Sequence, residues 1–435
     1  MQPSGIRGAL SKLNNRYGAL IVFAATITAM GLNFMGSVIN THMMSKEAFG
    51  DWKYIQSYLY LISYIINFGI YQSAQRLIAN TDNRFRIAVF KGYMICASIA
   101  GLLVMFAITL VIGFISNILS EAIFHILLSC FPLFIIHPLM FYFEAAYQAE
   151  KKMIKLAVYK VLPPAFYVLS LYLVSTIAAG SVYINTILHY GTYLLVFVLL
   201  IAKDNIKFKW ATREWSELKE ENKSFGLHIY YGSLMGVGTG YLLPILVGVF
   251  NVDNSNVGNY TLALTFITPL TLLPSITGTS NYRRFAQIDH IPKKVVANTA
   301  LASAAMIVAT IFSIDFVIDI FFGPKFQQVA VLIKIGALTA ALHGFGDFIN
   351  KFLNAKGIGV QVKRVAILVG VVQLASSLVF IHFLSDLGAI IARALGSLTY
   401  FTCLLVIYKR KFGRNNRVVP ILDSGKTTYI KTTSE

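Results

Sequence analysis

Charge is what this chain lacks most. Only 13% of its 435 residues are Asp, Glu, Lys or Arg, whereas 56% are hydrophobic and the mean hydropathy is +0.66. A soluble globular chain carries about 25% charged residues, so a soluble multi-domain enzyme of this length is excluded. Cysteine is almost as scarce. Cys96, Cys130 and Cys403 each fall inside an apolar run, which excludes a disulfide framework and a cysteine metal site. Catalytic signatures are missing too: no HExxH and no GxSxG occurs. The tripeptide Gly425-Lys426-Thr427 ends like a phosphate-binding loop, but Pro420 stands where that loop needs its first glycine. No enzymatic activity, cofactor or metal is expected.

What the chain has is long apolar runs. They lie at 17–39, 52–74, 92–115, 122–147, 154–176, 182–202, 225–250, 258–280, 295–322, 327–349, 362–384 and 387–408. At 1.5 Å per residue each is long enough to cross about 30 Å of hydrocarbon. The expectation is an all-α polytopic membrane protein with twelve transmembrane helices. The first run follows Arg7, Lys12 and Arg16, and is read as an uncleaved span rather than a signal peptide.

The net charge of +18 is largely a topology signal. Of 37 Lys and Arg, only Lys46, Lys53 and Lys325 fall in one set of connections, and Lys160, Lys334 and Arg393 fall within spans; the rest occupy the termini and the alternate connections. The positive-inside rule then puts both termini in the cytoplasm, and no nucleic-acid partner is expected. The outward loops are all short, which argues against a polymerase or ligase working on the far side. The longest hydrophilic connection, KDNIKFKWATREWSELKEENKS, reads as an interfacial amphipathic helix or a solvated linker with two interface tryptophans.

A shift of 208 residues lays the first six spans on the last six. It brings Gly50 onto Gly258 and Arg76 onto Arg284. Six spans per half is an even number, so the halves are parallel repeats around a central cleft, an architecture suited to alternating access. The expected division is an N-terminal bundle at 1–202, a linker at 203–224, a C-terminal bundle at 225–410 and a basic tail at 411–435.

Three segments carry a resemblance: Ser45-Lys46-Glu47-Ala48-Phe49-Gly50 before an aromatic second span, Asn67-Phe68-Gly69-Ile70 before Arg76, and Ala146-Tyr147-Gln148-Ala149-Glu150-Lys151 between spans 4 and 5. With the 6+6 pattern, these resemble bacterial O-antigen and capsule flippases of the multidrug/oligosaccharidyl-lipid/polysaccharide (MOP) exporter superfamily, over residues 10 to 412. The resemblance implies movement of an undecaprenyl-pyrophosphate-linked oligosaccharide from the cytoplasmic to the periplasmic leaflet of the bacterial inner membrane, beside a glycan polymerase and a chain-length regulator. An ion-coupled drug or small-solute exporter of the same superfamily is the alternative, and a membrane glycan polymerase or ligase a more distant one.

Such a substrate asks for cations, a polar cleft and an opening for its lipid tail. A cation inside a span costs about 2.5–3.5 kcal/mol and is expected to face a cleft or a partner. Lys160, Lys334 and Arg393 qualify as pyrophosphate candidates, with pairing of Lys334 or Arg393 to Asp315, Asp319 or Asp386 as the structural alternative. Arg76 and Arg284 could clamp a diphosphate or be topology anchors. Tyr64, Asn67, Tyr71 and Gln72 in span 2, and Thr268 in span 8, are the sugar-cleft candidates. Glu144 and Asp347 are candidates for coupling to an H+ or Na+ gradient, although Lys351 stands one turn beyond Asp347 and could neutralise it. Gly232, Gly236 and Gly240 form a GxxxGxxxG stripe suited to close helix packing or a bend.

Overall fold

A computed structural model describes residues 6–116, 118–177, 179–413, 418–423 and 426–431, the side chains of 6–16, 19 and the tail excepted. Arg7, Lys12 and Arg16 therefore lie outside the described side chains, and Gly425 outside the described residues. Among the described residues, nine helices are long and apolar enough to cross a membrane, or ten if one bent pair is a single span.

The fold is all-α, as expected, but the count of twelve uninterrupted spans is not reached, and the differences sit at three breaks. Span 2 is divided into α2 (Lys46–Ile65) and α3 (Ile70–Ala79), following α1 (Ile6–Met43). Span 4, after α4 (Arg84–Ile115), is divided into α5 (Glu121–Ser129) and α6 (Ile136–Ala149), bent by 73° across a 3-10 turn that contains Pro132. The last two spans run together in a single stretch, Gly359–Phe412, kinked at Ser385 (φ 50°, ψ −124°). Gly388 makes that kink possible, because a Cβ there would lie 2.1 Å from the carbonyl oxygen of Phe380.

The described chain divides into two compact units at Thr261/Leu262. The first continues through α7 (Met153–Ser175), α8 (Val182–Ala202), α9 (Thr212–Glu221), α10 (Leu227–Ser233) and α11 (Thr239–Phe250) into the start of α12 (Ser255–Ser280). α9, α10 and α11 are joined by two π-turns, Asn222–Gly226 and Leu234–Gly238. Of the linker, α9 and the π-turn that follows it are helical; residues 205–211 run without regular structure against α4, where the Lys207 N–H donates to the Ala88 carbonyl at 3.0 Å. Gly92 admits that segment, since a Cβ there would meet the Lys207 oxygen at 2.3 Å.

The repeat-related glycines touch within this unit. A Cβ on Gly258 would lie 3.3 Å from the Cα of Gly50, and one on Gly50 would lie 1.8 Å from the Asn254 carbonyl oxygen. Asn254 Nδ2 also donates to Asp51 Oδ1 at 2.7 Å. The turns that the 208-residue shift superposes therefore meet backbone to backbone. The GxxxGxxxG stripe does not serve as expected: a Cβ on Gly232, Gly236 or Gly240 would meet nothing within 4 Å. The stripe spans the second π-turn instead of a helix contact.

The second unit holds the remainder of α12, α13 (Tyr282–Gln287), α14 (Lys293–Phe322), α15 (Gln327–Ala355) and α16 (Gly359–Phe412). Its core gathers Phe285, Phe348, Phe352, Leu353, Tyr400 and Leu404. The tail carries a two-stranded antiparallel hairpin, β1 (Val418–Asp423) with β2 (Lys426–Lys431), which the sequence did not suggest.

Candidate functional site

The break in span 2 positions most of the candidate side chains. α2 ends at Ile65, and Phe68 (φ 46°) and Gly69 (φ 76°) follow in left-handed conformation. Gly69 is required there twice over, since a Cβ would also lie 2.3 Å from the Gly226 backbone. Asn67 Oδ1 accepts from the Gly69 N–H at 3.1 Å, and Tyr230 donates its hydroxyl to the open Ile65 carbonyl at 2.6 Å. Asn67 is thus buried in the turn itself, with its Nδ2 unpaired.

Beyond the break, α3 carries Tyr71, Gln72 and Gln75 toward α6. With Phe141, Glu144, Ala145 and Gln148 they line a pocket of about 90 Å³. Three of the candidate residues, Tyr71, Gln72 and Glu144, are brought together here. Tyr71 shares a hydrogen bond with Ser98 at 2.9 Å, Gln75 donates to Gln148 at 3.2 Å, and Gln72 Oε1 is buried without a partner. A fourth candidate, Lys160 on α7, donates to Glu144 Oε1 at 2.8 Å. Its side chain is 23% exposed and that of Glu144 47%, so the pair is partly exposed rather than sealed in the core, with Glu144 in the pocket lining. A fifth, Tyr64, stands edge-on to Phe141 at 5.2 Å and lies 5.7 Å from Tyr241 of α11. Tyr60 stacks on Tyr241 at 4.9 Å and meets His137 edge-on at 4.6 Å. The arrangement offers an aromatic wall for apolar ring faces, amides for hydroxyls and one acid–base pair.

The other candidates lie elsewhere. Arg76 Nη1 pairs with Glu221 at 2.8 Å, with its guanidinium 4.6 Å from the Phe225 ring. Arg284 on α13 is exposed and forms no ion pair among the described residues. Lys334 pairs with Asp315 at 2.5 Å, the structural alternative anticipated for it. Asp347 does not pair with Lys351; it accepts from the Tyr400 hydroxyl at 3.0 Å. Arg393 on α16 lies, like Asp347, within electrostatic reach of His343. Thr268 is half-buried on α12 in the second unit and is not among the residues that line the pocket.

Lys53 escaped the sequence reading because it was assigned to an outward loop. It is helical, on α2, with Nζ 4.3 Å from the Trp52 ring and 3.3 Å from Gln56 Oε1; Gln56 in turn approaches His189 at 3.4 Å. A second feature escaped as well, a buried ionic cluster at the basic ends of α4, α6, α7 and α8. Lys155 pairs with Asp204 at 2.7 Å, Lys91 with Asp204 at 3.5 Å and also with Glu150, Lys152 with Glu150 at 2.6 Å, and the Tyr142 hydroxyl donates to Asp204 at 2.9 Å. Burial alone would raise the Asp204 carboxyl, but Lys155, Lys91 and Tyr142 outweigh it and hold it below the usual carboxylate range.

Comparison with known proteins now places the chain. Residues 16–289 match the family described as polysaccharide biosynthesis protein. The chain belongs to that family. Its fold is similar to that of the lipid II flippase MurJ in an inward closed conformation, with TM-score 0.73 and 12% identity over 90% of this chain and 87% of that one. It is similar also to a multidrug resistance MATE family transporter of the MOP superfamily in an inward-facing conformation (0.64, 12%, 90% and 98%), and to a MOP superfamily transporter from Pyrococcus furiosus (0.56, 14%, 93% and 95%). No curated protein matches it in sequence. The chain is a multi-pass membrane protein whose fold is that of these flippase and transporter structures.

Proposed function

We propose that this family member flips an undecaprenyl-pyrophosphate-linked oligosaccharide, an O-antigen or related surface-glycan repeat unit, from the cytoplasmic to the periplasmic leaflet of a bacterial inner membrane by alternating access. The observation that supports this most is the pocket that joins Tyr71, Gln72, Gln75, Gln148 and Glu144 beside the Tyr60, Tyr64 and Tyr241 rings. Sugars present hydroxyls and apolar ring faces together, which is what such a lining recognises. Lys53, Lys160 and Arg76 are the cations of the first unit from which the pyrophosphate would draw its contacts, and Arg284, Lys334 and Arg393 those of the second. Glu144 and Asp347 would couple transport to an H+ or Na+ gradient. A glycan polymerase and a chain-length regulator would act on the delivered product, and both termini would be cytoplasmic.

The likeness to MATE transporters fits an ion-coupled drug exporter equally well as a fold, and the two readings part in the cell. Deleting the gene should leave lipid-linked repeat units on the cytoplasmic face and remove long surface glycan, with glycosyltransferase activities unchanged. Full-length glycan in a deletion strain that has merely become drug-sensitive would establish the exporter instead.

A further inference from the structure

We propose that a groove between α4 and the linker binds one anionic phospholipid of the surrounding membrane, its phosphate held by Lys207 and Lys209 and an acyl chain laid along α4. The proposal does not depend on what the protein transports.

The groove has a volume of about 460 Å³ and is lined by Cys96, Ala97 and Ala100 of α4, with Tyr93, Trp210 and Trp215 among its walls. Its floor is small: Cys96 and Ala100 lie one helical turn apart, on the side of α4 where Ile99 is 47% and Leu103 60% exposed. That side faces lipid, and the nine residues from Gly92 to Ala100 rise about 12 Å, a depth that accepts the upper part of an acyl chain. The walls are fixed in place. The Tyr93 hydroxyl both donates to the Ala211 carbonyl and accepts from the Ala211 N–H, each at 3.0 Å, while Trp215 lies 5.3 Å from Tyr93 and 5.2 Å from Trp210. Tryptophans at this level mark the membrane–water interface.

Charge identifies the occupant. Three neighbouring cations are neutralised, Arg86 by Glu214 and Glu217, Lys91 by Glu150 and Asp204, and Lys155 by Asp204, while Lys219 lies over the Trp215 ring at 5.3 Å and is not among the residues that line the groove. Lys207 and Lys209 are exposed, form no ion pair among the described residues, and approach the same ring, Phe85, at 4.8 and 5.6 Å. Two unneutralised ammonium groups above an apolar slot open to lipid complement a molecule with an anionic head and a hydrocarbon tail. A soluble anion gains nothing from the slot, and a zwitterionic lipid gains little from the lysines. The second unit has a slot of similar size, about 470 Å³, with Lys293 as its one cation, and serves as an internal control.

The test is native mass spectrometry of the full chain in detergent with added phosphatidylglycerol or phosphatidylcholine. Phosphatidylglycerol should bind selectively, and the selectivity should fall as ionic strength rises. Lys207→Gln with Lys209→Gln should weaken phosphatidylglycerol roughly 30-fold, about fivefold per lysine. The paired Arg substitutions should retain it, Ala97→Trp should abolish it by filling the slot, and Lys293→Gln should leave it unchanged. The lysine variants change exposed residues, and an unaltered elution volume verifies their fold. Equal binding of both lipids, or unchanged phosphatidylglycerol affinity in the double Gln variant, would overturn the proposal. So would displacement of phosphatidylglycerol by equimolar polyprenyl phosphate, which would assign the groove to a polyprenyl tail.

Discussion

The two units share a helical plan and differ in how they hold charge. The first ties its basic end together with a buried network in which Asp204, whose side chain is fully buried, accepts from Lys155, Lys91 and Tyr142. The second contains, among its described residues, the ion pair Lys334–Asp315, whose side chains are 35% and 52% exposed. Even the arginines that the 208-residue shift superposes diverge: Arg76 is paired with Glu221, and Arg284 forms no ion pair among the described residues. The 208-residue shift that superposes Gly50 on Gly258 and Arg76 on Arg284 therefore does not superpose their polar partners. The pocket lies in the unit that holds this network.

Removing one charge from each unit gives the largest contrast. Asp204→Asn leaves Lys91, 1% exposed, with one counter-ion fewer and should destabilise the protein by about 3–5 kcal/mol. Asp315→Asn, at an exposed pair, should cost no more than about 1 kcal/mol. Thermal unfolding in detergent compares the two. Because the folded state lowers the Asp204 pKa, its contribution is present above the ordinary carboxylate value and is lost as pH falls through the lowered one. Stability of the parent should thus be flat from about pH 5 to 8 and fall below the usual carboxylate range, and this component of the fall should be missing in Asp204→Asn.

Glycines give the next contrast. Gly50→Leu must displace the Asn254 backbone and should cost about 3 kcal/mol or more, whereas Gly236→Ala, with open space around its Cβ, should stay within about 0.5 kcal/mol. Equal losses would mean that the repeat contact is not the tight one.

These contrasts mark what the sequence can and cannot convey. Periodicity and length located the spans, and the 208-residue shift paired Gly50 with Gly258, because both are local properties of the string. Tyr71, Gln72 and Glu144 were recognisable as polar residues inside apolar runs, and they do share a pocket. Their partners were not legible: Glu144 meets Lys160 only because α6 and α7 are neighbours, and Arg76 meets Glu221 across 145 residues. Asp347 finds Tyr400 rather than the nearer Lys351, since a tertiary contact replaced the in-helix one. Lys53 stands at the second position of the 52–74 run, so a count that groups it with the outward connections hides its place on α2. The GxxxG stripe misled because spacing says nothing about whether another helix stands opposite.

The smallest expected effect on stability, and the most selective on function, is at the pocket. Glu144→Gln and Lys160→Gln break a partly exposed pair and should change stability by no more than about 1 kcal/mol. Transport of a lipid-linked oligosaccharide should nevertheless fall roughly tenfold in each, the equivalent of one charge-assisted contact. Surface glycan measured at matched protein abundance reads the difference.

The alternating access proposed above would require the contact between the turns at Gly50 and Gly258, which Asp51 and Asn254 link through their side chains, to part. The most direct measurement is flipping of a lipid-linked oligosaccharide by Asp51→Cys/Asn254→Cys protein in liposomes, with Cys96, Cys130 and Cys403 replaced by Ala. A short thiol cross-linker cleavable by reduction should stop flipping, and reduction should restore it. Cross-linked protein that flips the substrate at the rate of the reduced protein would contradict the account.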